Sequence, residues 1–171
     1  MIRSISVFSL AAAVTVFALA PGLAHGYRRS QAAFTCAPYN SDDQWGSYAI
    51  SNNALSGTKV YACGVDSDSQ HHPNNVVSTQ PIAIRGSAYM AEGIYAQACV
   101  SYSSIVGGAC GGVTANLTVG SLTLFPSASA WTSASSSDIP HLIVALAGCR
   151  SNGTGSCLAW NLVRGYHVDY N

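Results

Sequence analysis

Between residues 81 and 102 the chain alternates inward and outward side chains with a period of two. In PIAIRGSAYM, Ile82, Ile84, Ala88 and Met90 fall on one face and Arg85, Ser87 and Tyr89 on the other. IYAQACVSY repeats the pattern, with Ile94, Ala96, Ala98 and Val100 set against Tyr95, Gln97, Cys99 and Ser101. Successive side chains of an extended strand point to opposite faces, so this pattern specifies two strands, each with one buried face. The turn-like Ala91-Glu92-Gly93 between them predicts a hairpin.

Further strands are expected at FTCAP, TKVYACGV, NLTVGSLTLF, HLIVALAG and CLAWNLVRGYHVDY. HLIVALAG is apolar on both faces and belongs in the middle of a sheet. The intervals are rich in Ser, Gly and Asn, as in PSASAWTSASSSDIP, and no sustained helical stripe follows the N-terminal leader. About seven short strands with such connections specify an all-β chain, an antiparallel β-sandwich in jelly-roll or Greek-key style.

The leader, MIRSISVFSLAAAVTVFALAPGLAHG, has one cation at Arg3, an apolar run, and a small-residue stretch broken by Pro21-Gly22. This reads as a secretory signal peptide over residues 1–24, leaving 25–171 as one domain. No later apolar stretch is long enough to span a bilayer. The expected location is secreted and extracellular, or periplasmic in a Gram-negative host.

Six cysteines, Cys36, Cys63, Cys99, Cys110, Cys149 and Cys157, follow the leader. In an exported chain an even number reads as three disulfides. SYSSIVGGA and RSNGTGS, flanked by Cys99 and Cys110 and by Cys149 and Cys157, carry glycines suited to tight reversals. Sequential pairing follows, with Cys36 to Cys63 the longest loop. Only 8% of residues are charged and the formal net charge is zero. Such a surface has no long-range field to gather nucleic acid. Arg28-Arg29, the only basic pair, reads as a solvated tail beside the cleavage point.

DSDSQHHPNN, residues 66–75, concentrates the groups able to do chemistry. A helix-loop-helix calcium loop fails, because His71 stands where glycine belongs and Val77 where the bidentate glutamate belongs. A looser calcium or zinc site would draw on Asp66, Asp68 and His71. His71 and His72 are adjacent in extended backbone, so both ligating one ion would be awkward, and Pro73 holds His72 extended. The alternative is a polar turn-rich connection between strands.

Other catalytic patterns are thin. The only glutamate, Glu92, lies in a turn and has no evident carboxylate partner for glycoside hydrolysis. GTGSC is no nucleophile elbow, and GGACGG around Cys110 fits a bridge better than a thiolate. Three tryptophans and nine tyrosines offer flat faces for sugar rings. Trp45 and Trp131, in polar stretches, are expected at exposed loop ends with Tyr39 and Tyr48 nearby as ligand-binding residues. Trp160, in an alternating strand, is expected in the core. Asn116-Leu117-Thr118 and Asn152-Gly153-Thr154 are glycosylation acceptors only in a host that glycosylates.

Taken in order, the landmarks resemble a group of uncharacterised small secreted bacterial β-sandwich proteins. The residues that carry the resemblance are Cys36-Ala37-Pro38, the segment from Trp45 to Asn52, Val60 to Val65, Ala98-Cys99, Trp131 and the closing Gly165-Tyr166-His167-Val168-Asp169. The resemblance implies secretion and a β-sandwich, and implies no activity. It also implies that the third cysteine pairs with one late in the chain. The chain departs from the group in reading Asp66-Ser67-Asp68 without a preceding arginine.

The favoured reading is a non-catalytic secreted sandwich that binds a polysaccharide or another cell-surface ligand. A metal-assisted extracellular hydrolase centred on residues 66–75, and a structural or inhibitory secreted protein, are the alternatives.

Overall fold

The computed structural model describes residues 26–38, 49–68 and 71–171, with the side chain of Phe34 excepted. The described residues form thirteen strands: β1 Tyr27–Ala32, β2 Ala37–Pro38, β3 Ile50–Ser51, β4 Thr58–Gly64, β5 Ile82–Ala88, β6 Ile94–Ser101, β7 Gly108–Cys110, β8 Thr114–Ala115, β9 Gly120–Leu124, β10 Ile139–Ala147, β11 Arg150–Ser151, β12 Cys157–Ala159 and β13 Leu162–Tyr170. They form an antiparallel β-sandwich. One sheet runs β1-β13-β5-β9, with β3 beside β13; the other runs β2-β4-β10-β6-β7, with β8 beside β6. β11 and β12 make a separate two-stranded ribbon.

Each sheet takes its centre from late in the chain. β13 inserts between β1 and β5, and β10 between β4 and β6. HLIVALAG thus lies mid-sheet as expected, although only its Leu142, Val144 and Leu146 face is fully buried. Those residues meet Ile82, Ile84, Val163 and Val168 of the other sheet in a single hydrophobic core. Burying side chains of this size contributes about 1.5–3 kcal/mol each against exposure.

The 81–102 segment departs from the expected hairpin. β5 and β6 have the faces that their periodicity predicts, but they belong to opposite sheets. Residues 89–93 therefore form an arch across the end of the sandwich. Periodicity reports which face is buried and is silent on the partner strand. The arch is held by buried asparagines. Asn116 Oδ1 accepts from Ile94 N at 2.7 Å while its Nδ2 donates to Met90 O at 2.7 Å. Asn161 Oδ1 accepts from Tyr89 N at 3.2 Å. Gly93 is required there, because a Cβ would lie 2.3 Å from Asn161 Oδ1.

Two tryptophans exchange their expected places. The anticipated strand 157–170 breaks at Trp160-Asn161 into β12 and β13. The break resets the alternation, turning Asn161 fully inward and leaving Trp160 45% exposed. Trp131 is 0% exposed. The serine-rich stretch around it contains one helical turn, α1 Ser129–Thr132, which delivers the indole into the core. Trp131 Nε1 donates to Cys99 O at 2.7 Å. Trp131 is therefore a core residue and not an exposed sugar platform.

The disulfides pair sequentially, Cys36–Cys63, Cys99–Cys110 and Cys149–Cys157. Cys99 and Cys110 stand directly opposite each other on β6 and β7, so the late pairing that the resemblance implies for the third cysteine does not occur. Among the described residues no helix is long and apolar enough to cross a membrane. Three disulfides are compatible with an extracellular location.

Candidate functional site

The outer face of the β1-β13-β5-β9 sheet gathers three of the chain's seven Lys and Arg residues, Arg28, Arg85 and Arg164. Arg28 stands opposite Asp169 across β1 and β13, and Ser30 opposite His167. On the other side of β13, Gly165 pairs with Arg85 of β5. Alternation would not by itself bring Arg164 to this face. A β-bulge does so: Val163 pairs with Gly86 and Gly165 with Arg85, leaving Arg164 as the extra residue. Val163 and Tyr166 on either side are buried, so Arg164 and Gly165 both fall outward. Bulges commonly re-aim side chains next to functional sites. Glycine is needed at 165, since a Cβ would lie 2.7 Å from Gln31 O.

These residues enclose an open groove of about 600 Å³, lined chiefly by Arg28, Ser30, Gln31, Arg85, Arg164 and His167. Arg28 is held in a two-pronged contact with Asp169, Nε to Oδ1 at 2.7 Å and Nη2 to Oδ2 at 2.9 Å. The guanidinium keeps the Asp169 carboxyl below its ordinary pKa. Among the described residues neither Arg85 nor Arg164 has a carboxylate partner. His167 is pushed below the ordinary imidazole pKa by burial first, then by Arg28 and, more weakly, Arg85, against the opposing pull of Asp169. The arrangement offers hydrogen-bond donors and positive charge. Its one carboxylate is already engaged, so it lacks the facing carboxyl pair of a glycosidase.

The 66–75 loop is a second candidate. His71 Nδ1 lies 2.9 and 3.0 Å from the two Asp68 carboxylate oxygens, and His71 N donates to Asp68 Oδ1 at 2.7 Å. Arg29 Nη2 also donates to Asp68 Oδ2. The His71 ring is packed between Tyr27 and Tyr170, with centroids 4.4 and 5.4 Å away. Burial pushes the Tyr170 phenol up to about 12, so it remains a donor, reaching Asp66 O at 3.2 Å. His72 is extended before Pro73, as expected.

The metal expectation meets a different arrangement. Asp68 and His71 come together, but the cation beside the carboxylate is Arg29. Asp66 instead lines a separate depression of about 520 Å³ with Gln31, Thr35 and Gly64. No three His, Cys, Asp or Glu side chains among the described residues form a group able to hold a metal. Arg28 and Arg29, read from sequence as a solvated tail, lie in β1 and work in these two places. Tyr39, Trp45 and Tyr48 lie outside the described residues.

The groove was missed because its members are scattered over β1, β5 and β13 and only the sheet unites them. The available signal was the closing Gly165-Tyr166-His167-Val168-Asp169, in which every residue has a task. Gly165 completes the bulge, Tyr166 donates to Gly64 O at 2.5 Å, Val168 enters the core, and His167 and Asp169 face the groove. No known protein family, curated protein or solved structure matches the chain.

Proposed function

We propose that the domain is a secreted, non-catalytic β-sandwich that binds a polysaccharide or another cell-surface ligand along the outer face of its β1-β13-β5-β9 sheet. The observation that carries the reading is the open groove beside the bulge, where donors from three strands converge without an acid–base pair. An open sheet face suits a ligand that continues beyond it, as a polymer does, whereas small-molecule sites are usually enclosed. The Asp68–His71 pair favours no second reading. Arg29 already neutralises the carboxylate, and no hydroxyl or thiol among the described residues hydrogen-bonds the ring.

Electrophoresis of the oxidised chain through gels containing soluble neutral or acidic polysaccharides tests the proposal. Retardation that depends on polysaccharide concentration is the expected result. Unchanged migration in every gel would remove it.

A further inference from the structure

Resting on that reading, we propose that the ligand is an acidic polysaccharide, whose carboxylate or sulfate groups are received by Arg85 and Arg164 at the β13 bulge. The chain has only seven Lys and Arg residues in all. Three of them, Arg28, Arg85 and Arg164, line one groove with His167. Asp169 offsets one of these charges, by its two bonds to Arg28. The remaining two guanidinium groups are exposed and without a carboxylate partner among the described residues.

The bulge strengthens the inference because it costs a regular ladder step and delivers a second outward arginine next to Gly165, the residue that pairs with Arg85. Two planar guanidinium forks lining one groove match oxyanions in a way that scattered lysines do not. Neighbouring strands lie about 4.8 Å apart, so a polymer crossing β1, β13 and β5 meets a cation or a donor at each strand. Ser30 supplies a partner for hydroxyl groups. A lipid surface is disfavoured, because no exposed large apolar side chain lines the groove to enter the acyl region. Nucleic acid is disfavoured by the zero net charge and by the lack of an exposed aromatic face in the groove.

The test is titration of the full oxidised chain with dextran sulfate, polygalacturonate and neutral dextran. It is repeated with the Arg85→Gln/Arg164→Gln variant and with a Lys59→Gln/Arg150→Gln variant, whose charges lie outside the groove. The expected result is affinity for the acidic polymers at least about tenfold above that for dextran. The groove variant should lose about tenfold or more, and the control variant little, both keeping the wild-type melting temperature. Equal affinity for dextran would overturn the acidic ligand while leaving polysaccharide binding standing. Binding of none of the three polymers would overturn both. Equal losses in the two double variants would make the attraction diffuse and remove the site. Tighter binding of anionic phospholipid vesicles or of DNA, lost in the groove variant, would keep the site and overturn the polysaccharide.

Discussion

His167 resists protonation first because it is partly buried and then because of the guanidinium groups around it. It faces Ser30 across β1, with Arg28 and Arg85 repelling an imidazolium and Asp169 alone favouring it. Its pKa in the folded chain lies below the ordinary 6.5. As pH falls through 6.5 the unfolded chain takes up this proton first, so the group's contribution to stability is full above that value and declines below it. The decline stops once pH is under the folded pKa. A bound sulfate or carboxylate adds the missing counter-charge and raises the pKa in the complex. Affinity for dextran sulfate, whose sulfates stay ionised, should therefore rise between about pH 7.5 and about pH 5.5. His167→Gln should flatten that rise, and titrations at the two pH values would reveal it. An unchanged slope in the variant would place the sensitive group elsewhere. Trp131 makes the opposite case, of an aromatic residue with no ligand role. Trp131→Phe removes the indole hydrogen bond to Cys99 O, a loss of about 0.5–1.5 kcal/mol, with a further cost for the smaller ring in a fully buried site. Denaturant titration should show a loss of that order, while polysaccharide affinity at the native temperature stays unchanged.

At the level of elements, the arch between β5 and β6 makes its own prediction. Glu92 adopts φ 56°, left-handed backbone that a side chain disfavours. Relief of that strain is worth about 1–2 kcal/mol, and the extra freedom of an unfolded glycine returns about 0.4–1 kcal/mol. Glu92→Gly should thus stabilise the domain by about 0.5–1 kcal/mol, read from the denaturation midpoint, and a loss of stability would mean that the carboxylate has a task in the arch. This segment also marks how far the sequence was legible. Alternation assigned the buried aliphatic faces of residues 82–88 and 94–100 correctly, because burial acts on each side chain separately, but it also put the exposed Met90 on the inner face and the buried, disulfide-bonded Cys99 on the outer one. It could not say that two neighbouring strands separate into different sheets, since that depends on Asn116 and Asn161 arriving from later in the chain. The exchange of Trp131 and Trp160 has the same origin. Ala128, Trp131 and Ala134 recur every three residues as a buried helical stripe too short to stand out among serines. Asn161, which breaks the last strand, owes its buried position to Tyr89 and Ala147. The groove was least legible, because its charge comes from single residues on three separated strands.

Across the whole molecule, the disulfides are placed unevenly. Cys99–Cys110 ties β6 to β7, and Cys149–Cys157 closes the ribbon of β11 and β12. Cys36–Cys63 acts where the chain leaves β1 of one sheet, passes through the short turn Ala33–Thr35 and enters β2 of the other. It therefore fixes the first crossing between sheets, and both of its cysteines are fully buried. The native sheet partner of β1 is β13, at the far end of the chain, so closing that pair is entropically expensive without an intermediate constraint. The bridges enclose separations of 27, 11 and 8 residues. Loop-closure entropy assigns them about 3.5, 2.8 and 2.5 kcal/mol respectively. The Cys36→Ala/Cys63→Ala variant should lose the most, beyond its entropy share, because two buried sulfurs leave a void. The Cys149→Ala/Cys157→Ala variant should lose the least, since its ribbon lies apart from the core sheets. Because the groove is built on β1, β5 and β13, removing the first bridge should also weaken acidic polysaccharide binding by freeing β1 and its Arg28 and Ser30. Denaturation of the three paired variants, with binding measured on each, separates these effects. A reversed order of stability would mean that native strain, and not chain entropy, governs what these bridges contribute.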